Sequence, residues 1–124
     1  MATIQQCLAV LLLLQFKHLV IDWIWQTPYE LLNKGVYGHE GGQQHAVKHA
    51  FLSAVIFMPW VHPVYSFAVF LIDFTLHYHI DWTKCWCMSR TGWTANNPGF
   101  WWLTGADQWC HQVTYLALVW IFLL

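Results

Sequence analysis

Residues 106–124 read ADQWCHQVTYLALVWIFLL, and the contrast between the two halves of this stretch decides the fold. From Leu116 to Leu124 there is no polar residue, which a helix facing water on one side would not tolerate. The first half carries Asp107 and His111, four positions apart. That spacing sets two side chains about 40° apart on one helix face, where they can share a ligand.

The same division recurs on moving outward. Residues 64–84 hold Asp73, His77 and Asp81 on one stripe, and residues 44–60 open with His45 and His49. Residues 2–26 are apolar through Leu8–Leu14 and then carry His18 and Asp22. Thr27-Pro28 stops this first segment, and His62-Pro63 makes a tight reversal between the second and third. The expected fold is all-α: one domain over 1–124, an antiparallel integral-membrane four-helix bundle with spans at about 2–26, 44–60, 64–84 and 106–124. A Gly-rich loop at 27–44, with one short helical turn at Tyr29–Asn33, follows the first helix. A second loop at 85–105, punctuated by Asn96-Asn97-Pro98-Gly99 and rich in Trp, follows the third.

Composition supports a membrane setting over a soluble bundle. Only 9% of the residues are charged, against roughly 25% in an average soluble domain, and 58% are hydrophobic. Ten Trp, eight Phe and five Tyr match the aromatic girdles at headgroup level. No basic n-region or cleavage site marks residues 1–25 as a removable signal, so a retained span is expected. A net charge of −1 with no basic run excludes a nucleic-acid partner. Cys7, Cys85, Cys87 and Cys110 form no disulfide scaffold. Lys34, Lys84 and Arg90 lie in or beside the two loops, and the opposite side has no Lys or Arg. The positive-inside rule then places both loops in the cytoplasm and both termini outside a bacterial inner membrane.

Nine residues therefore form the candidate site: His18, Asp22, His45, His49, Asp73, His77, Asp81, Asp107 and His111. Antiparallel packing brings the four pairs to the half of the bundle nearest the loops, with Asp73 deepest. An Asp at a helix centre costs about 2.5–3.5 kcal/mol on insertion scales, so buried carboxylates need a cation or a metal. One or two divalent ions would neutralise four Asp, with zinc first and iron or manganese as alternatives. A hydrogen-bonded polar core and a proton or ion path are the competing readings. Some of the nine would orient a ligating His rather than ligate, Asp73 among them. Lys17 and Lys48 flank the stripes at the same depth and are candidates for a substrate anion or for pairing with an Asp. His79 points away from the stripe, and His39 reads as a loop residue.

Several blocks carry a resemblance. They are Gln15-Phe16-Lys17-His18 with Asp22 and Gln26, Asn33-Lys34-Gly35 through His39, and His45 with His49-Ala50. Asp73-Phe74 through Trp82, and Phe100-Trp101-Trp102 through Asp107-Gln108 and His111-Gln112, complete the set. Together they resemble a domain-of-unknown-function family of small inner-membrane proteins of bacteria and tailed phages. The resemblance implies a four-span membrane protein and no particular reaction. A more distant likeness is to predicted inner-membrane metal-dependent hydrolases, whose His-Arg and His-Ser signatures this chain lacks.

The leading expectation is a membrane metal-dependent hydrolase acting at the cytoplasmic interface on a lipid-borne ester or phosphoester. The alternatives are a di-iron membrane oxidoreductase and a non-enzymatic metal or proton transporter or phage membrane accessory protein. Membrane lipid is the expected partner, and self-association into a homo-oligomer is open.

Overall fold

Thr3 starts the first helix: its hydroxyl accepts from the Gln6 amide, while the Gln6 side chain accepts from the Thr3 amide. In the computed structural model, which describes all residues from Met1 to Leu124, this helix α1 spans Ile4–Leu19. It runs on into a widened π-helical turn at Val20–Ile24, closed by the Trp25 amide bonding to the Val20 carbonyl at 2.8 Å. A second capping box, Thr27 with Glu30, and Pro28 at the first position start the short α2 (Pro28–Asn33). This is the turn expected at Tyr29–Asn33.

Helix α3 (Glu40–Phe57) is capped by His39, whose Nδ1 accepts from the Gly41 amide at 3.0 Å. Helix α4 (Pro63–Thr91) begins at His62-Pro63 and ends at Gly92, whose φ of 66° is the left-handed conformation that glycine supplies without steric cost. Helix α5 (Pro98–Leu123) starts with Pro98 in its first turn. The chain is all-α, with five helices and no strand.

The second loop is shorter than its sequence indicates. Residues 85–91 continue α4 and residues 98–105 belong to α5, leaving only 92–97 as connection. Asn96-Asn97-Pro98-Gly99 is thus a helix start, not a mid-loop turn. Asn97 accepts from the Thr94 amide, and Gly99 lies flat against the Trp93 indole, where a Cβ would clash at 2.6 Å. Helix α3 likewise begins four residues ahead of its expected start at 44.

The four long helices pack in a ring, α1 against α3 and α5, and α4 against α3 and α5, with α2 lying on α3. The Ala2 amide bonds the Leu123 carbonyl at 2.9 Å, so the two termini meet at one end. That end holds an apolar core of Cys7, Val10, Leu14, Phe57, Val69, Tyr115, Leu118, Val119 and Leu123. The interior of the other end is polar. Of the 30 buried residues, 14 are polar or charged, more than the buried hydrophobics, while Leu12, Phe16, Trp23, Phe67, Trp109, Trp120 and Ile121 face outward. One helical stretch, Ile4–Ile24, is long and apolar enough to cross a membrane by length and composition. The segments at 44–60, 64–84 and 106–124 do not reach that mark, and the His, Asp and Gln of their loop-side halves are what lower their apolarity.

Candidate metal centre

Four helices deliver the polar residues to one level. His18 comes from the last turn of α1, and Asp22 follows in the π-helical turn, which widens the helix just where its side chain meets α3. His45 and His49 lie on adjacent turns of α3, and Asp73, His77 and Asp81 on three successive turns of α4. Asp107 and His111 are one turn apart on α5.

Asp22 is the hub of the first cluster. Its Oδ1 lies 2.9 Å from His49 Nε2 and 3.1 Å from His45 Nε2, and its Oδ2 lies 3.1 Å from His18 Nε2. Asp81 is the hub of the second. Its Oδ2 is 3.2 Å from His45 Nε2, and its Oδ1 is 3.3 Å from His111 Nε2. The His77 ring lies between the two hubs, stacked on His49 at 3.7 Å and on His111 at 4.1 Å between centroids.

Three sets place their ligand atoms within 4.8 Å of one another: Asp22, His45, His49 and His77; His18, His77 and His111; and Asp81, Asp107 and His111. Eight of the nine sequence candidates fall in these sets, and each set could hold a metal ion. The chemistry fits, since imidazole nitrogen and carboxylate oxygen both suit zinc, and imidazole also suits iron. The decisive observation is what lacks a partner. His77 is 1% exposed, yet neither ring nitrogen has a hydrogen bond; Asp107 Oδ1, 3.6 Å from His111 Nε2, and Asp73 Oδ1 are also buried without one. Buried polar atoms are seldom left so, and a bound ion is one of the few physical reasons for it.

Asp73 is the candidate that stands apart. It accepts from Ser53 Oγ at 2.6 Å and from Lys17 Nζ at 3.1 Å, below the metal sets. Lys17 also donates to the His49 carbonyl at 3.0 Å, so its ammonium is spent on holding α1, α3 and α4 together. Lys48 reaches Glu30 at 2.6 Å and the Trp25 carbonyl at 3.1 Å, pinning α2 over the end of α1. His79 is exposed and bonds the Thr75 carbonyl and Tyr37, and His39 is spent on its cap.

Sequence reading passed over the residues that complete the site. Lys34 Nζ lies 3.2 Å from Asp81 Oδ2, and Lys84 Nζ lies 2.9 Å from Asp107 Oδ2. Three of the four Asp therefore have a lysine partner, and only Asp22 relies on histidines alone. Tyr115 Oη sits 2.8 Å from His18 Nδ1 and orients that ring, while Gln108 reaches both His18 and Asp107. Gly35 permits the Lys34 contact: a Cβ there would meet Cys85 Cβ at 2.9 Å. The available signals were the Asn33-Lys34-Gly35 and Asp107-Gln108 blocks and the place of Lys34 and Lys84 at the loop end, with no helical spacing to tie either lysine to its Asp.

A cavity of about 490 Å³ opens onto the cluster from the loop end. Asp22, Gln26, Lys34, Lys84, Thr104 and Gln108 give it polar walls, and Trp23, Leu31, Met88 and Phe100 an apolar rim. Much of this wall comes from residues 85–88 and 100–105, which extend α4 and α5 beyond their expected ends. Just outside it, burial and the Lys48 ammonium act oppositely on Glu30, and Lys48 with the Thr27 amide prevails, holding that carboxyl below its ordinary value.

Comparison with protein-family models, with curated proteins and with solved structures finds no match to this chain, so its reading rests on the geometry above.

Proposed function

We propose that the chain is a membrane-embedded metal-dependent hydrolase acting on a lipid-borne ester or phosphoester. The observation that carries this is the orphaned His77 imidazole, held between two carboxylate hubs and beside a cavity that reaches Asp22. Asp22, His45, His49 and His77 would hold a first divalent ion. Asp81, Asp107 and His111 would hold a second, with Asp81 near ligands of both sets. A bound divalent ion supplies a water whose pKa falls toward about 7 and polarises the scissile group.

The residues do the rest. With the first set alone filled, Asp107 Oδ1 has no hydrogen-bond partner and would take the proton as the water oxygen bonds to the ester centre. The bond to the leaving oxygen then breaks, and the same proton passes to that oxygen, releasing an alcohol. The apolar rim of the cavity would admit the substrate from its lipid end.

The outward apolar surface and polar interior support four spans over the single span that composition alone marks. Lys34, Lys84 and Arg90 at the loop end support cytoplasmic loops and outer termini in a bacterial inner membrane. The resemblance to the small bacterial and phage membrane family is proposed on the same footing. The apolar core closing the termini end argues against a transport path through a monomer.

The test is elemental analysis of freshly purified protein in detergent, with His77→Gln beside it. Stoichiometric zinc lost in the variant supports the hydrolase. Iron with a visible chromophore would move the reading to a di-iron oxidoreductase. No metal at purification and none after titration would sink both.

A further inference from the structure

We infer that the cavity at the loop end is a binding site for the phosphate of an anionic substrate, gripped by Lys34 and Lys84. This rests on the metal centre proposed above and names the substrate class it would serve.

The argument is one of charge and position. Lys34, which caps the end of α2, and Lys84, on α4, both line the same cavity as Asp22. Their carboxylate partners, Asp81 and Asp107, are also members of one metal set. With the histidines neutral, as metal ligation requires, the three carboxylates Asp22, Asp81 and Asp107 against these two ammonium groups leave one net negative charge before the ion is counted. One divalent ion turns that into one net positive charge, and a second ion adds two more. The surplus faces the cavity, since Asp73 and Lys17 neutralise each other beneath it.

A buried surplus of positive charge needs an anion. A phosphodiester brings about one negative charge and a phosphomonoester up to about two near neutral pH. Lysine ammonium groups bind phosphate as compact point charges, and the amides of Gln26 and Gln108 on the same wall add neutral donors. The carboxylates that would draw toward the metal are those that now occupy the lysines. Metal loading therefore frees the ammonium groups for the substrate. A neutral ester would leave them uncompensated, so the site selects against it.

The phosphate could belong to a lipid headgroup or arrive free, and the experiment separates these. Metal-loaded full-length protein in neutral detergent is titrated with short-chain phosphatidic acid, with inorganic phosphate and with the matching diacylglycerol. We expect both phosphate probes to bind and diacylglycerol not to compete. Lys34→Gln with Lys84→Gln should weaken both phosphate probes at least tenfold. Thr104→Trp, which fills the cavity and removes no charge, should weaken phosphatidic acid more than inorganic phosphate if the source is lipid; equal loss of both points to a free anion. Metal content is measured on every sample. Phosphate binding unchanged in the double variant, or absent from metal-loaded wild type, overturns this site and leaves the metal centre standing. Absence of metal overturns the centre instead.

Discussion

The imidazole of His77 stacks on that of His49 with ring centroids 3.7 Å apart and planes 24° from parallel, yet neither His77 nitrogen finds a donor or acceptor. Two desolvated, unpaired nitrogens are a cost to the fold, about 1–3 kcal/mol for each such group. A cation bound through one of these nitrogens would offset part of that cost.

His77→Leu should therefore separate stability from metal binding. Without metal, the variant is expected to melt at or above the wild-type temperature, because an apolar side chain replaces unsatisfied polar atoms. With metal at a hundred times its Kd, wild type should gain about 2.7 kcal/mol, and the variant should gain far less. Thermal melts with and without zinc check this. Equal gains would remove His77 from the ligand set.

Asp22 and Asp73 should respond in opposite ways to the same chemical change. Asp22→Asn removes the carboxylate shared by three histidines, so metal affinity should fall at least tenfold with modest effect on metal-free stability. Asp73→Asn strips the buried Lys17 of its counter-charge, which costs about 3–5 kcal/mol for a broken buried pair. Its metal affinity, measured where the variant remains folded, should stay within a few-fold. Chelator competition and chemical denaturation read the two effects.

Tyr115→Phe deletes the hydroxyl 2.8 Å from His18 Nδ1 and leaves the ring in place. His18 belongs to the set with His77 and His111 and lies 3.1 Å from Asp22, and where such a histidine ligates, losing the partner that orients it typically lowers metal affinity by about 10–100-fold. The expected signature is a weaker metal with an unchanged melting temperature in its absence. An unaltered affinity would exclude His18 from the bound set.

The Glu30–Lys48 pair sets a pH dependence away from the cluster. Because the folded Glu30 carboxyl lies below its ordinary 4.5, the pair stabilises the protein above that value. The benefit is lost as pH falls through the folded value. Glu30→Gln should melt below wild type at pH 7, and the gap should close on acidification. A gap that persists at low pH would mean the side chain acts by packing alone.

The pairs at spacing four, His18 with Asp22, His45 with His49, His77 with Asp81 and Asp107 with His111, were legible because helical periodicity is local and apolar or polar character needs no partner to be recognised. The same holds for the Thr27-Pro28 and His62-Pro63 boundaries, whose backbone restrictions are intrinsic. The loop at 85–105 misled for the converse reason. Its Trp, Ser, Thr and Asn residues have ordinary helical compatibility, and helix length there is set by packing of α4 on α5 rather than by local preference.

Lys34 shows what only tertiary structure could decide. In the sequence it is one basic residue in a Gly-rich loop, with nothing to link it to Asp81, 47 positions away. Folding places α2 across the bundle end and brings the ammonium to the carboxylate through Gly35. That changes the charge balance of the nine-residue cluster: three of its four Asp already have lysine partners, so one divalent ion more than offsets the remaining carboxylate and a second adds to the surplus. The sequence by itself determined that His and Asp converge in one half of a helical bundle, since periodicity and burial cost are local properties. Which carboxylate lacks a lysine, which imidazole is left unpaired and where the cavity opens depend on contacts between distant segments, and only the packed chain decides them.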